Sequence, residues 1–176
     1  GNLSADWGRS GNEGIDPWRG TVGQAALSVL HALGAWVTVA DINIGLLRTL
    51  QSQYNQTINT MISSRENIAA VLPETDMILN CVKWPKGNKE YLVTREMIRT
   101  MEPGSVLVDI SNDEQGAIET FHETTHENPR YVEEGVVHYC VSNIPGAIAN
   151  STSVAYAASV LPSFPQHFKQ WSCQGM

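Results

Sequence analysis

Residues 18–43, WRGTVGQAALSVLHALGAWVTVADIN, constrain this chain more than any other stretch. Ala25, Val29, Ala32 and Leu33 recur at helical spacing behind Gly20 and Gly23. Trp36 to Ala40 is then a short β-rich run that stops at Asp41. Helix, Gly34 corner and buried strand make the second half of a βαβ unit. In a G-x-G-x-x-G turn, backbone amides and a helix N-terminus face a pyrophosphate, and an acid after the next strand holds ribose hydroxyls. Gly20 and Gly23 stand where the second and third glycines belong, and Asp41 follows at about the ~20-residue interval expected of the acid. Trp18 occupies the first glycine position.

The strand that should lead into this turn is not legible. Residues 1–19 are glycine-rich and polar and offer no run of four to eight apolar residues of the kind a buried parallel strand uses. The reading is therefore an irregular N-terminal segment (1–19), a Rossmann-like domain (20–162) and a C-terminal tail (163–176). The fold class is α/β, a mostly parallel sheet with helices on both faces and its first central strand missing or replaced. The gap closes by direct pairing of the two neighbours, by the N-terminal segment, or by another chain. An unpaired edge of that kind also predicts a homodimer, with Phe164, Phe168 and Trp171 as a second contact patch.

Further along, Ile44, Leu47, Leu50 and Tyr54 mark a helix, and 57–62 a short edge strand. Ser63 or Ser64 caps a helix that Pro73 ends. Met77–Val82, Ser105–Ile110 and Val136–Val141 read as strands, with a Thr94-capped helix between the first two. Residues 119–135 have little period, and Asn150 or Ser151 caps a last helix of small residues. The loops that follow these strands, Lys83–Tyr91, Ser111–Gln115 and Ser142–Gly146, gather on the rim where open α/β sheets hold ligands. Lys83, Lys86 and Lys89 offer positive charge there, and Asp113 a carboxylate suited to acid–base work. His122 and His126 have no evident third ligand, so no metal site is expected.

Composition narrows the partners. The chain has 11 Lys plus Arg against 18 Asp plus Glu, a formal charge of −7, and no basic stripe, which argues against nucleic acid. No run is long and apolar enough for a membrane span, and three scattered cysteines need no oxidising compartment, so a cytoplasmic protein with a small-molecule ligand is expected.

The runs VTVADIN, YLVTREMIRTMEPGSVLVDI, ETFHETTHENPRYV and, above all, GVVHYCVSNIPGAIANSTSVAYA resemble the nucleotide-binding domain of alanine dehydrogenase and of nicotinamide nucleotide transhydrogenase, from residue 20 to about 162. The resemblance implies NAD as cofactor, with the glycine turn on Gly20 and Gly23, the ribose acid on Asp41, and Asp113 and Asn143 beside the nicotinamide as catalytic candidates. Around Asp113 the family's usual IDQGG is replaced by NDEQG. The family's separate substrate domain, with its lysine, arginine and histidine, has no counterpart among these residues. Three functions follow as expectations: NAD(H) binding with reduced or partner-dependent oxidoreductase chemistry; a repurposed crevice for non-redox chemistry, favoured by the bulk of Trp18, with Trp18 and Trp84 lining an apolar pocket and Asp113 as acid or base; and a structural or regulatory subunit that binds nothing.

Overall fold

The computed structural model describes residues 2–7, 21–85, 87–111 and 116–160. Seven strands form one sheet: β1 Asn2–Trp7, β2 Trp36–Asp41, β3 Asn59–Ile62, β4 Met77–Cys81, β5 Val106–Asp109, β6 Arg130–Glu133 and β7 Val136–Tyr139, in spatial order β3-β2-β1-β4-β5-β7-β6. All neighbours are parallel except the β6–β7 hairpin. Among the described residues, α1 Thr21–Ala32, α2 Ile44–Gln53, α3 Arg65–Val71 and α4 Arg95–Ile98 lie between strands, and α5 Ala149–Val160 follows the last of them. This is the doubly wound, Rossmann-like α/β arrangement that the alternating pattern predicts.

Of the three ways to close the expected gap, the N-terminal segment is the one used. β1 lies between β2 and β4 and pairs in parallel with both, Ser4 opposite Thr38 on one side and Ile78 on the other. The segment Asn2–Trp7 carries too few apolar and β-branched residues to announce a buried strand. Its conformation is set by two flanking ladders that leave unpaired amides and carbonyls until a third strand fills them. With that slot occupied, the sheet-gap argument for a homodimer no longer has a structural basis.

The apolar core follows from the strands on either side of β1. In β4, Ile78 and Leu79 are successive, point to opposite faces, and are both buried, so the sheet is covered on both sides at this strand. Leu27 of α1, Val37 and Val39 of β2, and Leu47 and Leu50 of α2 form one cluster. A larger one joins Ile68, Ile78, Ile98, Leu107, Val136 and Cys140. The helix starts obey local chemistry: Asn43 Oδ1 accepts from the Leu46 amide (3.1 Å), Ser64 Oγ from Asn67 (3.2 Å) and Thr94 Oγ1 from Met97 (3.3 Å).

β6 is a second departure from the sequence reading. Arg130 and Val132 are exposed while Tyr131 and Glu133 are half-buried, so this edge strand lacks a clean apolar face. The signal lay in its turn. Glu134 and Gly135 both have positive φ (52° and 81°), the geometry of a two-residue hairpin. The chain divides into two compact units, Gly1–Ser142 and Asn143–Met176. In the second, Asn143 adopts left-handed backbone (φ 55°, ψ 50°) before a 3₁₀ turn, Ile144–Ile148, and α5 starts at Ala149, ahead of the expected Asn150 or Ser151 cap. Among the described residues no helix is long and apolar enough to cross a membrane.

Candidate functional site

Parallel strands deliver their following residues to one rim, and in the first unit that rim contains a cleft of ≈ 330 Å³. Its lining comes from just past three strand ends: Ile42 after β2, Ser63, Arg65 and Glu66 after β3, and Val82, Trp84, Asn88, Glu90, Tyr91 and Leu92 after β4. Aromatic and aliphatic surface is interleaved with carboxylates, an amide and one guanidinium, the mixed lining typical of small-molecule sites. At the low end of the ~300–1,000 Å³ usual for such pockets, the volume suits a single nucleoside-sized group.

Asp41 closes β2 immediately before Ile42. Its side chain is almost fully buried (2% exposed), and Oδ1 accepts the Asn43 amide at 2.7 Å. Burial raises its pKa above the usual aspartate value, while hydrogen bonds from the Asn43 and Ile42 backbone oppose the rise. The Ser63 amide donates to the Asp41 carbonyl at 3.0 Å, tying the end of β2 to the residue following β3.

The other rim candidates separate. Gly23 is buried within α1, whereas Gly20, Trp18 and Asp113 lie outside the described residues. Asn143 opens the second unit, and its carbonyl accepts the Gly146 amide at 2.8 Å. Of the lysines after β4, Lys83 and Lys89 are exposed and absent from the cleft lining, and Lys86 lies outside the described residues. From that same loop it is Trp84, Asn88, Glu90 and Tyr91 that face the cleft. Trp84, expected from the sequence as a pocket-lining aromatic, does line the cleft, whereas the positive charge of Lys83 and Lys89 is turned elsewhere.

Two polar pairs escaped the sequence reading because their partners are remote in the chain. Asn80 and Asp109 sit opposite each other at the ends of β4 and β5, both nearly buried, with Asn80 Nδ2 donating to Asp109 Oδ2 at 3.0 Å. Asn80 Oδ1 also accepts the Val82 amide at 3.1 Å, which shapes the chain as it leaves β4. His138, fully buried in β7, stacks on Tyr131 and has Nε2 2.8 Å from Thr120 Oγ1 and Nδ1 3.0 Å from the Val136 carbonyl. Burial lowers its pKa, as it pushes the Cys140 thiol up to about 11. Both are packing groups with satisfied polar atoms. Among the described residues no three His, Cys, Asp or Glu side chains gather in a metal-binding arrangement.

Comparison with known proteins places this geometry. The sequence profile "Alanine dehydrogenase/PNT, C-terminal domain" matches residues 19–173. The chain is 42% identical over 143 residues to alanine dehydrogenase of Halomonas elongata (81% of this chain, 38% of that protein). It is 40% identical over 144 residues to that of Methanococcus maripaludis (81% and 39%) and 41% identical over 144 residues to that of Bacillus subtilis (81% and 38%). It thus spans about two fifths of the length of the relatives it matches. A solved L-alanine dehydrogenase superposes with a TM-score of 0.81 at 31% identity, covering 97% of this chain and 44% of that one. A transhydrogenase from Sinorhizobium meliloti shares the fold at a TM-score of 0.66 and 24% identity, covering 89% and 41%. By a profile match that runs through almost the whole chain, and by identity near 40% to several relatives, this protein belongs to the alanine dehydrogenase/PNT family, as a representative of its C-terminal domain.

Proposed function

We propose that this chain binds NAD(H), with the adenosine half in the β2–β3–β4 cleft, and provides the nucleotide-holding part of an oxidoreductase whose activity depends on groups beyond those found here. The observation that carries this reading is the position of the cleft: it opens just past the carboxyl ends of β3, β2 and β4, parallel strands of one sheet in which β1 lies between β2 and β4, next to the acid that ends β2. A ribose presents hydroxyl donors, and Asp41 supplies carboxylate acceptor capacity at the rim. A base needs a flat apolar wall, and Trp84 and Tyr91 contribute aromatic surface to the lining. The family's redox names agree with the same assignment.

When bound, the nicotinamide supplies hydride exchange. What this chain's residues contribute is retention and orientation. Asp41 fixes the ribose, the cleft wall excludes water from the base, and the resemblance assigns Asp113 and Asn143 to the nicotinamide side. Hydride transfer also needs a second reactant held against the ring, with a group to take its proton. The chain covers 38–39% of its dehydrogenase relatives, so oxidation of alanine is a property proposed for it only together with further protein.

Titration with NADH, followed by nucleotide and tryptophan fluorescence, tests the reading. Saturable binding that AMP competes away is the expected result. Absence of saturation at millimolar NADH and AMP would overturn it and favour a crevice turned to a different small molecule.

A further inference from the structure

We infer that Arg65 is a positioning residue for the nucleotide site, acting through the Tyr91 carbonyl to hold the loop after β4 as the outer wall of the cleft. This rests on the adenosine reading of the cleft and goes beyond it by naming what sets the cleft's width.

The loop that leaves β4 at Val82 has little regular support. Among the described residues, its next backbone hydrogen bonds to another segment are at Leu92 and Val93, whose amides donate to the Ala117 carbonyl at 2.8 and 3.0 Å. Between these points run the lining residues Trp84, Asn88, Glu90 and Tyr91. Two of the ties among them are internal: Trp84 Nε1 donates to the Glu90 carbonyl at 3.0 Å, and the Glu90 amide to Asn88 Oδ1 at 3.1 Å. They make the loop a unit but do not attach it to the other wall. Arg65 does. From the first turn of α3, 26 residues away in sequence, its Nε donates to the Tyr91 carbonyl at 2.7 Å.

That bond, not the neighbouring ion pair, is the clasp. Arg65 Nη2 and Glu90 Oε2 stand 3.6 Å apart, and the Glu90 side chain is 76% exposed, so water screens the pair and the separation is beyond a hydrogen bond. A guanidinium fits the task because its planar fork directs Nε at one acceptor while the remaining donors stay hydrated. Loss of the clasp leaves the loop whole but free to move away from α3. The fraction of molecules with a closed cleft then falls, and every ligand that uses the base-binding wall weakens by the same factor, whatever its charge.

Adenosine, AMP and NADH are therefore titrated against the unmodified chain, Arg65→Ala and Arg65→Lys, with hydrogen exchange read on the peptide spanning residues 84–91. The expected result is a loss of about fivefold for all three ligands in Arg65→Ala, the scale of one charge-assisted hydrogen bond at a partly exposed site. Faster exchange confined to the 84–91 peptide should accompany it. Arg65→Lys, which keeps a single donor for the Tyr91 carbonyl, should recover part of the affinity. A loss for AMP and NADH but not for adenosine would make Arg65 a direct phosphate contact and overturn the inference. So would unchanged affinity in both Arg65 variants. If the unmodified chain binds none of the three ligands, the nucleotide reading itself falls and takes this one with it, an outcome distinct from binding that ignores Arg65.

Discussion

Asp41 is pulled in two directions by its place at the end of β2. Binding a ribose favours an ionised carboxylate, yet the side chain is 2% exposed and burial raises its pKa from the model-compound value of 3.8. Because the folded-state pKa is the higher, folding is disfavoured by ionisation. That cost is absent below pH 3.8 and complete above the folded-state pKa. Asp41→Asn keeps an oxygen acceptor for the Asn43 amide and removes the charge. Its melting temperature at pH 7 should equal or exceed that of the unmodified chain, with any gain vanishing as the pH falls towards 4. Nucleotide affinity should drop about tenfold, since a hydrogen bond to a charged group is worth roughly 1.5–3 kcal/mol. Paired thermal melts and NADH titrations would check both signs, and loss of stability together with affinity would show a structural role instead. Residues such as Asp41 are legible because one position after an apolar run defines them. Arg65 and Asn80 are not, because their partners lie 26 and 29 residues away and only the fold brings them together.

Among the elements, β1 and the β6–β7 hairpin show where pattern reading stops. β1 is flanked on both sides by ladders, so a proline within it removes a donor and inserts a ring where no edge is available. Ala5→Pro should cost roughly 3 kcal/mol or more, or prevent folding outright, as read by circular dichroism and denaturant unfolding. Folding indistinguishable from the unmodified chain would mean that β1 is dispensable to the sheet. The hairpin is secured differently. Glu134, in left-handed backbone at the turn, accepts from Arg99 Nε (2.7 Å) and Nη2 (3.0 Å) and from Arg95 Nη1 (3.0 Å), while Arg95 also pairs with Glu133. The two guanidiniums lower the Glu134 pKa from 4.5 to about 2. A depressed folded-state pKa gives stability that is present above pH 4.5 and is lost as the pH falls towards 2. Glu134→Gln should be less stable at pH 7 and show a flatter pH dependence across that interval in urea titrations. The two arginines are partly exposed, so the effect should shrink at high salt.

For the whole molecule, nucleotide binding and turnover are expected to come apart. The chain alone is expected to bind NADH but to form none from alanine and NAD, because hydride transfer requires a second reactant fixed against the ring. Absorbance of NADH would report any turnover, and sustained formation by the purified chain would sink this prediction. The sequence by itself determined the α/β class, β2, β4, β5 and β7, the cap at Thr94, a helix start at Ser63 or Ser64, the acid that ends β2 and the family. Each is set by short-range patterns: apolar runs of strand length, a hydroxyl ahead of a helix, a carboxylate after a strand. Only the tertiary structure decided that Asn2–Trp7 is the central strand, that Arg130–Glu133 is the edge strand, and that the walls of the cleft are joined through Arg65. These depend on backbone groups finding partners across the sheet and on one side chain reaching a distant carbonyl, and no local pattern of residue types encodes either.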